Sequence, residues 1–501
     1  MSPWLPLAAL VAAGTGGGLF AAGVRRMLAR EERRLGDPPE NTWTEALFTL
    51  DAMSLPDLLL TLQRAQRGAA AEHPMGSPEA RPWFDRIGFD PATLRPPPRP
   101  RPDPDVLATT LGPRAARPLT LRLPVLVAPM GWGIGLQAEA KVALAQAAAL
   151  AGTAVVSGEG PYLPEERAAA WRWVLQWSRG PWAHQAAVVR LADMVEIQWS
   201  QGSEGGVGIA KPAPSLEGRV ARALPAGVRR ARLRPAHGAL AQTLRHIRAL
   251  NPEVPVGVKI AASDHLEEDL EVLAGLGVDV VTIDGREAGS AGSPAVLSDR
   301  FGLPTVLAVA RAARWRARAG LVGRLSLVAS GGVRDAADIA ILLALGADAV
   351  AVGSVLLLAL THNQVARHAP EPPTALILAR PRGQQTLDIN QATEHAFRWF
   401  CATAEELTTI LAALGLERPD QLGPNHLRAE DPKVAKALGI ASLAAAPPYG
   451  PADKLGQLVA EYDRLNRILR QHLERLAYAE GSPLPGRAQR SEATPWSGVK
   501  P

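Results

Sequence analysis

The sequence is poor in cysteine, in lysine and in aromatic residues. A single cysteine, Cys401, occurs in 501 residues. A disulfide framework and a cysteine-ligated iron–sulfur cluster within this chain are therefore excluded. Lysine contributes only Lys141, Lys211, Lys259, Lys433, Lys436, Lys454 and Lys500 to a combined Lys+Arg count of 54. The positive charge is thus carried by arginine, and the net value of +5 is small for this length. Such a bias reflects nucleotide composition and not a polyanionic partner, so no nucleic acid is expected. Scarcity makes any lysine at a strand end conspicuous. Apolar residues at 47% exclude general disorder. No metal-ligating set is singled out.

Charge is also missing from residues 3–24, and Arg25, Arg26, Arg30, Arg33 and Arg34 come directly after. A run of about twenty uncharged residues can span a bilayer, and basic residues on its C-terminal side place the C-terminal domain in the cytoplasm. A single-pass anchor over 1–24 with a cytoplasmic catalytic domain is the expectation. The Ala/Gly richness of the run leaves two other readings open, a mobile or buried N-terminal helix and a signal peptide. Residues 25–119 read as a lead-in. They hold two short amphipathic helices within 42–70 and a Pro/Arg-rich stretch centred on Arg95–Pro102, of polyproline character, which wraps the barrel domain or links to it.

What is present in strength is a βα alternation. Short apolar β-branched runs at Asp279–Ile283, Leu325–Ala329 and Asp348–Val352 each end in turn formers and precede a segment of helical period. Leu123–Val127, Thr153–Val156 and Val254–Ile260 add strands, while Gln137–Leu150 and Leu240–Leu250 add helices. This predicts an α/β fold, a (β/α)8 TIM barrel over 120–365. A helical extension over 366–480 includes Thr393–Gly415 and Pro451–Leu476, and a polar tail covers 481–501. Two strand tips, Ser330-Gly331-Gly332 and Gly353-Ser354, carry glycine. Backbone N–H groups and a helix N-terminus at neighbouring tips can hold a phosphate; tight βα turns are the other explanation.

Three further features have open readings. Trp171, Trp173, Trp177 and Trp182 form an interaction surface or core packing beside the barrel. Arg219, Arg222, Arg229, Arg230, Arg232 and Arg234 make a solvated face or a dock for an acidic electron carrier. Cys401, among Phe397, Phe400 and Leu407, reads as an inert core thiol.

The loop Asp284-Gly285-Arg286-Glu287-Ala288-Gly289-Ser290-Ala291-Gly292-Ser293-Pro294 is long and rich in glycine. It resembles the D-G-x-x-G-G-T-G-A-x-P loop in the flavin mononucleotide (FMN) domain of glutamate synthases. The resemblance extends over roughly residues 120–362. Ala128-Pro129-Met130-Gly131 is similar to the first strand end of flavin barrels, where this turn meets the flavin ring. Ser157-Gly158-Glu159-Gly160 resembles the family's T-G-E-G-G turn, and Lys259 stands as in its V-K-L motif. The resemblance implies FMN as cofactor. Its binding residues would be Ala128, Pro129, Met130 and Gly131, then Gly158, Gln201, Lys259, Asp284 and Gly285. Ser330, Gly331, Gly332, Gly353 and Ser354 would complete them. It implies catalytic roles for Glu159 and Gln201, which position nitrogen and imine, and for Lys259, which stabilises the reduced flavin.

The match is incomplete. Glu196-Ile197-Gln198-Trp199-Ser200-Gln201-Gly202-Ser203-Glu204 is similar to the family's I-E-I-K-I-x-Q-G-A-K motif, but Gln198 and Glu204 replace its two lysines. The carboxylate grip for 2-oxoglutarate is thereby removed; Lys211 is near enough in sequence to compensate. The family's iron–sulfur cysteines, its glutamine-hydrolysing cysteine nucleophile and a dinucleotide-binding domain are not recognisable. Electrons are expected from a separate protein, such as ferredoxin or a reductase subunit, or from a small-molecule substrate. The implied function is an FMN-dependent oxidoreductase, in its finer form one that aminates 2-oxoglutarate to glutamate. Action on another small substrate, or a non-catalytic flavin scaffold, are the alternatives.

Overall fold

In a computed structural model of the chain, the described residues are 25, 26, 28, 29, 32 and those within 82–443. Inside that span, residues 95, 179, 181, 183–184, 203–206, 208, 213–215, 217, 225–229, 234–239, 290–292, 365–372 and 380–385 are not described. The predicted helices in 42–70 and Pro451–Leu476, the anchor and the polar tail lie outside the described residues.

Eight parallel strands close a barrel. They are β1 (Val125–Val127), β2 (Ala154–Val156), β3 (Arg172–Trp177) and β4 (Met194–Gln198), then β5 (Val256–Ala261), β6 (Val280–Asp284), β7 (Ser326–Ser330) and β8 (Ala349–Val352). Neighbours pair in chain order, and β8 returns to β1 with Ala351 opposite Leu126. One helix taken after each strand gives α1 (Ala138–Leu150), α2 (Pro164–Ala169), α3 (Ala186–Arg190) and α4 (Leu240–Leu250). They continue as α5 (Leu266–Gly275), α6 (Thr305–Arg318), α7 (Ala336–Ala344) and α8 (Ser354–Thr361). Near-continuous burial along the strands explains why they read as apolar runs without alternation: one face meets the helices and the other fills the barrel.

The barrel interior is divided by depth. Leu126, Val156, Val174, Met194, Val280, Val328 and Ala351 fill its lower part. The hairpin of Thr109–Leu111 and Leu119–Leu121 plugs that end with Leu111, Leu119 and Leu121. Polar side chains gather at the opposite end, where strand C-termini and βα loops meet.

The lead-in and the C-terminal helix belong together. Helix α9 (Ile389–Ala413) packs on α1, α7 and α8 and is capped by Asp388, whose carboxylate accepts from the Gln391 N–H at 3.1 Å. The Pro/Arg stretch runs along its end: Ala92 N–H donates to Ala413 O and Arg99 N–H to Ala412 O. Arg99 pairs with Glu417, and Arg101 with Glu405 at 2.6 Å. Arg99 and Arg101 are therefore placed on protein carboxylates.

Several expectations are corrected. The tryptophan-rich stretch contains the third barrel strand: Trp173 is fully buried in β3, Trp171 is exposed, and Trp182 sits in a satellite cluster with Trp132 and Leu163. Cys401 is exposed, because α9 turns Phe400 and Leu407 inward and Cys401 away. Among the described residues no helix is long and apolar enough to cross a membrane. Helix α9 has the length, with 25 residues, but carries Glu394, Arg398, Glu405 and Glu406. This corrects the expectation of a membrane-anchored chain; the uncharged run that prompted it, residues 3–24, lies outside the described residues.

Candidate active site at the C-terminal mouth of the barrel

The register of β3 to β6 builds the floor of the mouth. Gln176 lies opposite Glu196, and Lys259 opposite both Gln198 and Thr282. Paired residues on adjacent parallel strands face the same side, so these polar side chains share the barrel interior. Glu196 is 3% exposed and each of its oxygens is engaged: Gln176 Nε2 donates to Oε1 at 2.9 Å and Thr282 Oγ1 to Oε2 at 2.6 Å. Burial raises the Glu196 carboxyl above its ordinary range, opposed by Lys259, Thr282 and Gln176.

Lys259 is buried, with Nζ 2.9 Å from Asp284 Oδ2. Burial alone would push its ammonium down; Asp284, Glu196 and Glu159 more than reverse that and hold it above the usual lysine range. The same Asp284 oxygen accepts from Gly202 N–H at 2.9 Å, which ties the turn after β4 to the end of β6. Gln198 Nε2 donates to Glu159 Oε2 at 3.2 Å and to Gln201 Oε1 at 2.5 Å. Glu159, Gln201, Lys259 and Asp284, each singled out in the sequence, are thus joined through Gln198 and the Gln201-Gly202 turn.

The predicted glycines divide into two groups. Gly131 and Gly158 serve close packing between the β1 and β2 tips. A Cβ on Gly131 would stand 1.8 Å from Glu159 O, and one on Gly158 2.4 Å from Gly131 N. Gly285 and Gly331 close around Thr305, the first residue of α6, whose N–H and hydroxyl both donate to Glu287 Oε2. The tips of β7 and β8 are neighbours, as Ser330 pairs with Ala351. Gly331 and Gly332 have φ of 121° and 72°, and Gly353 precedes the eight-residue helix α8. A Cβ on Gly353 would meet only Ala128 Cβ, at 3.7 Å, so this tip is open beside Ala128, Pro129 and Met130. The open Gly353 tip, beside the positive-φ Gly331-Gly332 turn and a charged, buried floor, fits a phosphorylated cofactor.

Sequence reasoning missed Glu196, Gln176 and Thr282, although an acid inside the apolar run Met194–Ile197 was a visible signal. It also missed the buried pair Lys141–Glu166, 2.7 Å apart beneath the β2 tip. Lys141 Nζ additionally donates to Ser157 O at 3.0 Å and so holds the strand end that carries Gly158 and Glu159. Burial raises the Glu166 carboxyl, against the pull of Lys141. The Lys211 side chain lies outside the described residues, as does Glu204.

This is a (β/α)8 barrel of the kind that seats a phosphorylated ligand at late strand tips. Residues 105–417 match the family described as the conserved region in glutamate synthase. The chain belongs to that family and carries its FMN-binding barrel. It is similar to the glutamate synthase large subunit-like protein of Rhizobium meliloti, 34% identical over 51% of this chain and 60% of that protein. It is also similar to the archaeal-type glutamate synthase [NADPH] of Thermotoga neapolitana, 28% identical over 64% of each chain. The chain thus spans less than two thirds of the length of these curated relatives. Among solved structures, an active chimera of (S)-mandelate dehydrogenase has a TM-score of 0.47 at 16% identity, covering 74% of this chain and 95% of that one. The flavin-binding domain of baker's yeast flavocytochrome b2 has 0.46 at 15%, covering 85% and 88%.

Proposed function

We propose that the chain is an FMN-dependent oxidoreductase acting on a small, nitrogen-bearing substrate at the C-terminal mouth of the barrel. The observation that carries this reading is buried Lys259, kept charged by its ion pair with Asp284 and by the field of Glu196 and Glu159. A buried ammonium at the floor favours negative charge on whatever group lies above it. When bound, FMN supplies two-electron hydride chemistry. Backbone N–H groups of the 331–332 and 353–354 tips hold its phosphate end, and Ala128–Met130 form the adjoining wall. Asp284 orients Lys259, while Glu159, Gln198 and Gln201 orient the substrate nitrogen. Electrons exchange with an external carrier, ferredoxin or a reductase subunit, or with the substrate itself.

The second reading is glutamate formation from 2-oxoglutarate and ammonia. The meeting of Glu159 and Gln201 at Gln198 supports it, because that reaction needs a positioned nitrogen. Both readings meet one test on the purified full chain. FMN is expected on denaturation, and anaerobically photoreduced enzyme is expected to be reoxidised by its substrate. A chain that takes up no FMN on reconstitution overturns the proposal; FMN that is bound but never turns over makes the barrel a scaffold.

A further inference from the structure

Two buried oxygens at the mouth have no donor among the described residues. Gln198 is 2% exposed, and its amide nitrogen serves both Glu159 Oε2 and Gln201 Oε1. Its own Oε1 is left without a partner. Turning the amide over would set that oxygen against a carboxylate and a second carbonyl, so the neighbours enforce the present orientation. Asp284 is 0% exposed; Oδ2 takes the Lys259 ammonium and the Gly202 N–H, and Oδ1 takes nothing. The two oxygens flank one turn, since Gln201 is bonded to Gln198 and Gly202 to Asp284.

Both orphans are acceptors, so the ligand that completes the site must bring donors. The charge balance agrees. Three carboxyl groups, Glu159, Glu196 and Asp284, act on Lys259, the one described cation of this cluster. A dicarboxylate would add two negative charges beside them, and the Gln198 amide nitrogen is already engaged by Glu159 and Gln201.

Resting on the reading of this mouth as the substrate site, we propose that it selects a small primary amine, bound as a cationic donor to Gln198 Oε1, Asp284 Oδ1 and Glu159, over a dicarboxylate. Glu159 is the charge partner for the ammonium, and the Gln198 amide fixes the Glu159 carboxylate in place.

The test uses the FMN-loaded full chain, titrated near neutral pH with n-propylamine and with 2-oxoglutarate and followed by the flavin absorbance spectrum. The amine is expected to saturate at a concentration about tenfold or more below that of the dicarboxylate. Glu159→Gln is expected to weaken the amine about tenfold while FMN content stays constant, and Gln198→Lys to reverse the order of the two ligands. Tighter binding of 2-oxoglutarate, or no spectral response to either ligand, with FMN still bound overturns this inference alone. Failure to hold FMN overturns the proposed function, and this inference with it.

Discussion

Lys259 Nζ lies 2.9 Å from Asp284 Oδ2, and both side chains are almost wholly shielded from solvent. Neither charge can be removed without stranding the other. Lys259→Met leaves Asp284 and Glu196 without their cation and is expected to cost about 3–5 kcal/mol in urea unfolding. Lys259→Met/Asp284→Asn should recover much of it. On protein that binds FMN, Lys259→Met should lower the flavin potential by about 30 mV or more, the equivalent of about 1.4 kcal/mol for two electrons. Asp284→Asn should raise it, because the ammonium is then unshared. A potential unmoved by either change removes Lys259 from the flavin's electrostatics.

Glu196 makes stability depend on pH. Burial raises its carboxyl above the ordinary 4.5, so the folded chain holds this proton more tightly than the unfolded chain. Its contribution is complete below about 4.5 and is lost as pH rises through the folded value. Glu196→Gln mimics the protonated acid and should flatten that loss. Urea midpoints of both proteins across acidic to mildly basic pH should diverge towards the basic end, with the variant the more stable. Equal slopes would show that Glu196 is ionised throughout.

The glycines separate by what a side chain would meet. Gly158→Ala puts a Cβ 2.4 Å from Gly131 N at a φ of +75°, and about 2 kcal/mol or more of stability should be lost. Gly353→Glu enters open space and should leave the thermal midpoint nearly unchanged. Its charge at the phosphate tip should weaken FMN binding about tenfold or more, measured by fluorescence quenching on titration. Loss of stability without loss of FMN affinity in Gly353→Glu would move the phosphate elsewhere.

Lys141 and Glu166 are 1% and 2% exposed. Lys141→Met strands a buried carboxyl and should cost about 3–5 kcal/mol, whereas Lys141→Met/Glu166→Leu should cost far less. A double-mutant cycle by chemical denaturation reads the coupling directly. Additive losses would mean that the pair is not coupled.

The barrel was legible because its signals are local. Apolar β-branched runs, turn formers and helical periods recur within a few residues, and Ser330–Gly332 and Gly353 announced the late tips by composition alone. Observed strands begin one or two residues after the expected starts, as with Val256–Ala261 against Val254–Ile260. The third and fourth strands, Arg172–Trp177 and Met194–Gln198, were not singled out: the tryptophans of the third read as surface or as core packing until closure buries Trp173, and an acid interrupts the apolar run of the fourth.

By itself, the sequence determined the fold class, most of the strands and which residues could carry charge into the site. Lys259, Glu159, Gln201 and Asp284 are recognisable there as chemistry at strand ends. Tertiary structure alone decided whom each of them meets. Lys259 faces Asp284 because β5 and β6 pair in one register, and Glu196 is shielded because closure brings β3 and β6 to either side of it. Gln198 is drawn to Glu159 across the mouth from β2. The partner of a buried charge depends on strand register and barrel closure, which are non-local, whereas the tendency to form each strand is local.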